Sequence, residues 1–309
     1  MTKVLVIIVT YNGMQWLPRC IGSVSGSDVF VVDNDSVDGS ADWVQANCPG
    51  VKLVRSAENL GFSKANNLGF EYAVKKGYDY VYLLNQDAWL EEGALEKLVD
   101  AAEKHPEFAV LSPLQMTDGY GALDGQFAKR LPAMKKSGPA MECEPVEVKF
   151  VMAAHWLVPV RALKEIGMFS EFFPLYGQDD DWCNRARYHG WKVGIVPDAR
   201  AVHDRAQRRE SKDRIIDRNY RVGSLIRLCD INRPLWERFL FVCLFTLVKT
   251  VKYRSFLPVK HFIGICKLLP DLVNLQDLYK KTYGNSRYTE KDIRKQERKG
   301  HEGHQACAG

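Results

Sequence analysis

The chain has 309 residues, 46% hydrophobic and 26% charged, an ordinary globular composition with room for one large domain and an appendage. Its net charge of +5 is uneven: residues 1–199 carry 19 Lys/Arg against 26 Asp/Glu, and residues 200–309 carry 24 against 12. The eight cysteines form no CxxC pair, which excludes a zinc knuckle or dithiol redox site and fits a reducing cytoplasm; no apolar stretch is long enough to span a bilayer.

In chain order, residues 4–9 form an apolar run too short for a signal peptide and are expected to be a buried first strand. Leu17, Cys20, Ile21 and Val24 have helical spacing. Residues 29–32 and 51–54 are further strands, separated by a helix through Trp43 and Val44 that Ser36 or Asp38 can cap. Residues 64–76 are a helix stopped by Gly77, 80–84 a strand, 90–104 a helix ended by Pro106, and 108–111 a fifth strand. The Gly- and Pro-containing stretch 113–145 is an excursion, and 146–151 and 192–196 are strands. Residues 206–280 are mostly helical in pattern, and 284–309 form a polar tail expected to be disordered. Alternating strands and helices predict an α/β fold: a mostly parallel central sheet flanked by helices, with a helical C-terminal extension. In such sheets ligands bind beyond the carboxyl ends of the strands.

The segments at those ends are polar. Asn85-Gln86-Asp87 follows what should be a central strand, where a carboxylate can hold a hard cation such as Mg²⁺ or Mn²⁺; the competing reading makes Asp87 a helix N-cap. Asp33-Asn34-Asp35-Ser36 offers acceptors for a nucleoside, or ordinary turn chemistry. Asp179-Asp180-Asp181 either complements a helix dipole or supplies a general base, and helical phase lets at most one or two of the three face one site. His203 is a surface or core histidine, or completes a metal shell begun by Asp87. In the stretch from Glu58 to Asn67, Gly61 permits an unusual backbone turn and Lys64 can meet a phosphate, or simply be solvated.

Taken in order, Val9-Thr10-Tyr11-Asn12, Val32-Asp33-Asn34-Asp35-Ser36, Asn59-Leu60-Gly61-Phe62, Asn66-Asn67-Leu68-Gly69, Leu83-Leu84-Asn85-Gln86-Asp87, Gly167-Met168-Phe169, residues 176–185 and residues 190–203 resemble glycosyltransferase family 2, the inverting enzymes of GT-A fold, and within it a bacterial rhamnosyltransferase-like branch. The likeness covers about residues 3–205. It implies a GT-A-type, Rossmann-like catalytic domain at 1–205, with a nucleotide-sugar half at 1–112 and an acceptor half at 113–205, ahead of a basic helical extension at 206–283. Thr10, Tyr11, Asn12, Asp33 and Asn34 would serve the nucleoside. Asn59, Gly61, Phe62, Lys64 and Asn67 would lie near the nucleotide or diphosphate, and Asn85, Gln86 and Asp87 would stand in the place of a DxD-like motif. Asp87 and His203 would hold a divalent cation, and Asp179 would be the catalytic base. His155, Trp156 and Asp181 would lie on the acceptor side, although packing accounts equally for the bulky pair. The chain departs from the family pattern at Gln178, where Glu is usual, at Ala153, where Gly is common, and at Ser170, where Asp is usual.

The resemblance implies an inverting, metal-dependent transfer of sugar from a nucleotide-sugar donor to a glycan or lipid-linked glycan acceptor in cell-surface polysaccharide synthesis, with branch likeness pointing to dTDP-rhamnose. The alternative is a catalytically weak nucleotide-sugar-binding scaffold, motivated by Gln178. In the basic third, Arg205, Arg208, Arg209, Arg214, Arg218, Arg221 and Arg227 precede an apolar run at 239–248 followed by Lys249, Lys252 and Arg254. That run either lies in an anionic membrane surface, at the inner face of the plasma membrane, or packs as a core helix. Nucleic acid is not an expected partner, because stacking aromatics and known modules are missing.

Overall fold

An unbroken aliphatic run has no face to give to water, and Val4–Thr10 (β1) accordingly lies inside a sheet in the computed structural model, with Leu5, Val6, Ile7 and Ile8 buried. The structure describes residues 2–117, 121–129, 144–173, 176–204 and 212–281. The tail at 284–309, Arg205, Arg208 and Arg209 fall outside them, as does part of the 113–145 stretch.

After β1 come Leu17–Gly22 (α1), Asp28–Asp33 (β2), Ser40–Asn47 (α2), Lys52–Arg55 (β3), Gly61–Lys76 (α3) and Tyr80–Asn85 (β4). These strands are all parallel, in the order β3-β2-β1-β4. Thr10 pairs with Asp33 and Val9 with Asn85, so the polar segments that follow these strands emerge level, along one rim. α3 packs on β1 through Gly69, where a Cβ would sit 2.7 Å from the Ile7 side chain. It stops at Gly77, whose φ of 71° is the left-handed conformation that ends helices.

Beyond β4 the chain forms Ala88–Leu90 (β5), Ala94–Lys104 (α4), Phe108–Met116 (β6), Gly125–Ala128 (α5), Val146–Glu147 (β7), His155–Pro159 (β8), Val160–Ile166 (α6), Gln178–Tyr188 (α7) and Lys192–His203 (β9). The sheet continues β4-β8-β6-β9-β5, with β7 also on β9. Only β6 and β9 are parallel in this half, because β8 runs antiparallel between β4 and β6. The parallel arrangement therefore holds for β3-β2-β1-β4, and the rest of the sheet is mixed. The helix expected from residue 90 begins at Ala94, because Ala88–Leu90 pairs with Ala201–His203 instead. That pairing also removes the helix-cap reading of Asp87: α4 starts beyond β5, with Gly93 at its N-cap.

The chain divides into two compact units, one of residues 1–164 and 190–207, the other of 165–189 and 208–309. The stretch expected to form one acceptor half, 113–205, thus gives 165–189 to the second unit. Besides α7, that unit contains Lys212–Cys229 (α8), Leu235–Tyr253 (α9), Leu257–Lys267 (α10) and Leu269–Lys281 (α11), around a core that includes Phe172, Phe173, Leu225, Val242, Ile265 and Leu272.

Candidate functional site

At the carboxyl ends of β1, β2 and β4, side-chain amides tie the loops to one another. Gln86 Oε1 accepts from Thr10 Oγ1 at 2.9 Å and from the Tyr11 N–H at 2.8 Å, while its Nε2 donates to the Tyr11 carbonyl at 3.3 Å. Gly13 leaves room for this clasp: a Cβ there would lie 2.2 Å from Gln86 Oε1 and 2.6 Å from Thr10 Oγ1. Asn12, at φ 49°, accepts from the Val37 N–H and donates its own N–H to Ser36 Oγ, both at 2.9 Å. Asn34 Nδ2 donates to Asn59 Oδ1 at 2.9 Å, and Asn34 Oδ1 accepts from the Leu60 N–H at 2.8 Å. Asn59 Oδ1 also takes the Gly61 N–H, at 2.9 Å, where φ is 74°.

These contacts sort the expected donor-site residues into two kinds. Thr10, Asn12, Asn34, Asn59 and Gln86 hold the loops in shape; Thr10 is fully enclosed, so the expectation that it serves the nucleoside directly is corrected to a bracing role in the rim. Tyr11 presents an exposed ring at the same rim. Asp33 Oδ1 accepts from the Ser36 N–H at 3.1 Å, but its buried Oδ2 has no hydrogen-bond partner among the described residues. A buried, unmatched carboxylate oxygen is costly unless a donor arrives. At the start of α3, Gly61, Phe62 and Lys64 are half-buried, while Asn67 is buried. Asn85 completes β4, its N–H donating to the Ala154 carbonyl at 3.1 Å.

Asp87 and His203, 116 positions apart in the chain, are neighbours because β5 and β9 pair Ala88 with His203. His203 Nε2 lies 3.4 Å from Asp87 Oδ1, and both side chains are buried. Two donors each about 2.1 Å from one small divalent cation stand about 3–3.4 Å apart, so the pair fits a shared ion. No group of three or more His, Cys, Asp or Glu side chains arranged for a metal occurs among the described residues. Remaining positions on such an ion would fall to water and phosphate oxygens, as Mg²⁺ and Mn²⁺ prefer. Asp204 follows, its N–H donating to the Asp87 carbonyl at 2.8 Å and its Oδ2 accepting from Trp16 Nε1 at 3.0 Å.

His155 corrects an expectation. It and Trp156 are enclosed in β8 and present no acceptor-facing surface, because β8 has a strand on either side. Val202 offers only a carbonyl, so His155 Nε2 donates to it (3.1 Å) and Nδ1 accepts from Tyr82 Oη (2.9 Å). Burial first, then the proximity of His203, pushes the His155 pKa down to about 3. Unfolding therefore restores an ordinary histidine that binds protons below about pH 6.5 while the native ring stays neutral. Stability is present at pH 7 and is lost as pH falls towards 3; from pH 7 to pH 5 this group alone costs about 2 kcal/mol. In urea unfolding of the metal-free protein, wild type should lose about 2 kcal/mol more over that interval than H155Q. Equal losses would show that the imidazole is not held neutral.

In the helical unit, Tyr176 and Gly177 both have positive φ, 67° and 93°, and turn the chain sharply into α7. At Gly177 a Cβ would lie 2.8 Å from the Phe173 ring. The three consecutive carboxylates then diverge. Asp179 and Asp180 are half-buried, and Asp179 Oδ1 accepts from the Asp180 N–H at 3.1 Å. Asp181 points inward to Arg185 Nε at 2.8 Å, while the rest of that guanidinium bonds the Ile166 and Met168 carbonyls, each at 2.8 Å. Burial pushes the Asp181 carboxyl up, against the pull of Arg185. Its expected place on the acceptor side is thus corrected to a structural ion pair. Gln178 is buried, with Oε1 unpartnered among the described residues.

A family model described as "Glycosyl transferase family 2" matches residues 5–167. The chain is 29% identical over 240 residues to an N-acetylglucosaminyl-diphospho-decaprenol L-rhamnosyltransferase of Mycobacterium tuberculosis, covering 67% of this chain and 78% of the relative. Among solved structures, S. aureus TarS 1–349 in complex with UDP-GlcNAc is similar with a TM-score of 0.57 at 16% identity, over 99% of this chain and 92% of that one. GalNAc-T7 with UDP, GalNAc and Mn²⁺ is similar with a TM-score of 0.56 at 18% identity, over 73% of this chain and 48% of that one, so the chain spans about half its length. At such identities the structural likeness concerns the fold, which is that of GT-A glycosyltransferases.

Proposed function

The chain belongs to glycosyl transferase family 2, and from that membership and the rim geometry we propose that it moves a sugar from a pyrimidine nucleoside-diphosphate donor to an acceptor hydroxyl with inversion. The observation that carries the donor class is Asp33 Oδ2, a buried acceptor at the end of β2 that has no donor among the described residues. The imide N–H of uracil or thymine supplies that donor, and Tyr11 offers a ring against which the base can lie. The rhamnosyltransferase likeness supports dTDP-rhamnose as the donor and a lipid-linked glycan of cell-surface polysaccharide synthesis as the acceptor.

Asp87 and His203 would hold Mg²⁺ or Mn²⁺, and the Asp204–Trp16 contact would steady the strand ends that carry them. A divalent cation there supplies charge neutralisation for the departing diphosphate. Asp179 takes the proton of the acceptor hydroxyl as its oxygen bonds to the anomeric carbon. The bond from that carbon to the diphosphate oxygen breaks on the opposite face, and one such displacement inverts the anomeric configuration. The scaffold reading rests on Gln178 in place of a second acid and requires donor binding without turnover.

Thermal unfolding with a panel of nucleotide sugars, with and without Mn²⁺, tests the donor class. A donor at about 100 times its Kd stabilises the fold by about 2.7 kcal/mol. The expected result is a shift for dTDP- and UDP-linked sugars that depends on Mn²⁺ and is missing for ADP-linked ones, whose adenine carries no ring N–H. Equal shifts from ADP-linked donors would overturn the Asp33 assignment, and product formation by the stabilised complex decides between enzyme and scaffold.

A further inference from the structure

A helix of a water-exposed domain ordinarily turns its apolar stripe inward, and α9 does not. Its inner side buries Arg238, Val242 and Thr246, with Val242 in the helical unit's core. On another side, Trp236, Leu240, Leu244, Leu247, Val248 and Val251 recur at helical spacing and are all exposed, Trp236 at 67% and Val251 at 78%. At 1.5 Å per residue the stripe runs for about 22 Å. Phe256, at the N-cap of α10, and Ile263 within it are also exposed, at 83% and 55%. Beside the stripe lies a cleft of about 500 Å³, lined by the apolar Trp236, Leu240, Phe241 and Leu244 and by the charged Arg227, Asp230, Arg233 and Glu237. An exposed apolar stripe of this length marks a contact face.

Charge identifies the partner. Between residues 235 and 270 the sequence has one acidic side chain, Glu237, which pairs with Arg233. Against it stand Lys249, Lys252, Arg254, Lys260 and Lys267, of which all but the half-buried Lys249 are exposed. No helix among the described residues is long and apolar enough to cross a membrane. An exposed apolar stripe bordered by cations on a non-spanning helix has the chemistry of a segment that lies in a headgroup layer. We propose that the α9–α10 face docks on an anionic lipid bilayer, with the α9 stripe in the acyl boundary and Lys252, Arg254 and Lys260 among the headgroups. The inference is independent of the donor chemistry and needs no nucleotide.

Co-sedimentation of the full chain with vesicles tests it, using equal parts phosphatidylglycerol and phosphatidylcholine against phosphatidylcholine alone. The anionic vesicles should bind the protein at least tenfold more strongly, with binding weakened by salt. Each basic residue near an anionic surface contributes about fivefold, so K252Q/R254Q/K260Q should weaken binding by up to about 100-fold. L240Q/L244Q/L247Q, at positions already in water, should weaken it at least tenfold while the thermal midpoint and helical signal of both variants stay at wild type. Binding equal on both vesicle types, no binding to either, or unchanged binding by the folded variants overturns the proposal. So does a dimer in light scattering that the leucine variant dissolves, because a second copy of the chain would then cover the face.

Discussion

Replacing Asp87 with asparagine should lower kcat/KM for sugar transfer by about three orders of magnitude and remove the Mn²⁺-dependence of donor binding. The side chain keeps its size, and the carboxylate is buried beside His203 Nε2 at 3.4 Å. An uncharged amide in that position is a poor partner for a hard cation, and the diphosphate then departs with its charge uncompensated. Asparagine keeps a side-chain oxygen that can face His203 Nε2, so the fold should be retained. The expected signature is a protein with a wild-type thermal midpoint in the absence of ligand, no added stabilisation from donor plus Mn²⁺, and partial recovery of turnover at high Mn²⁺. H203N, which leaves the carboxylate ligand in place, should do less damage than D87N. Were D87N to keep both its Mn²⁺-dependent thermal shift and turnover close to wild type, the proposed cation site would have to lie elsewhere.

Legibility of the sequence followed the range of the interactions. β1, β2 and β4 announce themselves as apolar runs with polar residues at their ends, and the register that levels Thr10, Asp33 and Asn85 follows from parallel pairing of such runs. Gly77 marks the end of α3 by its own conformational freedom. β5 was hidden because Ala88-Trp89-Leu90 is too short to show a period, and its identity as a strand comes from β9, more than a hundred residues later. β8 was hidden for the opposite reason. A polar His155 beside a bulky Trp156 suggests a surface, yet the ring is satisfied by Tyr82 and the Val202 carbonyl, 73 and 47 positions away. The Gln86 clasp on Thr10 and Tyr11 and the Trp16–Asp204 bond likewise join residues 75 or more positions apart, and so leave no local pattern. Chemistry-bearing residue types were therefore readable, whereas the division between groups that face a ligand and groups that brace the loops was not. Asp181 illustrates this: composition alone gave it the same standing as Asp179, and only its ion pair with Arg185 withdraws it.

That separation of the three carboxylates sets the second large effect. D179N should lower kcat by about 10²- to 10⁴-fold, the usual worth of a positioned general base, while the donor-induced thermal shift stays at wild type. The left-handed turn at Tyr176 and Gly177 fixes the start of α7, and a side chain at Gly177 would strike Phe173, so Asp179 is carried on a braced first turn. Asparagine preserves the size of the group and its acceptance of the Asp180 N–H, seen at 3.1 Å. What it removes is the capacity to keep the acceptor's proton once the new glycosidic bond forms, a demand absent from donor binding; loss should therefore fall on kcat rather than on donor affinity. D180N serves as the internal control, since it removes the adjacent charge with the same change in shape. If D180N loses turnover while D179N retains it, the base is Asp180; if both retain it, neither residue takes the proton and α7 is excluded from the chemical step.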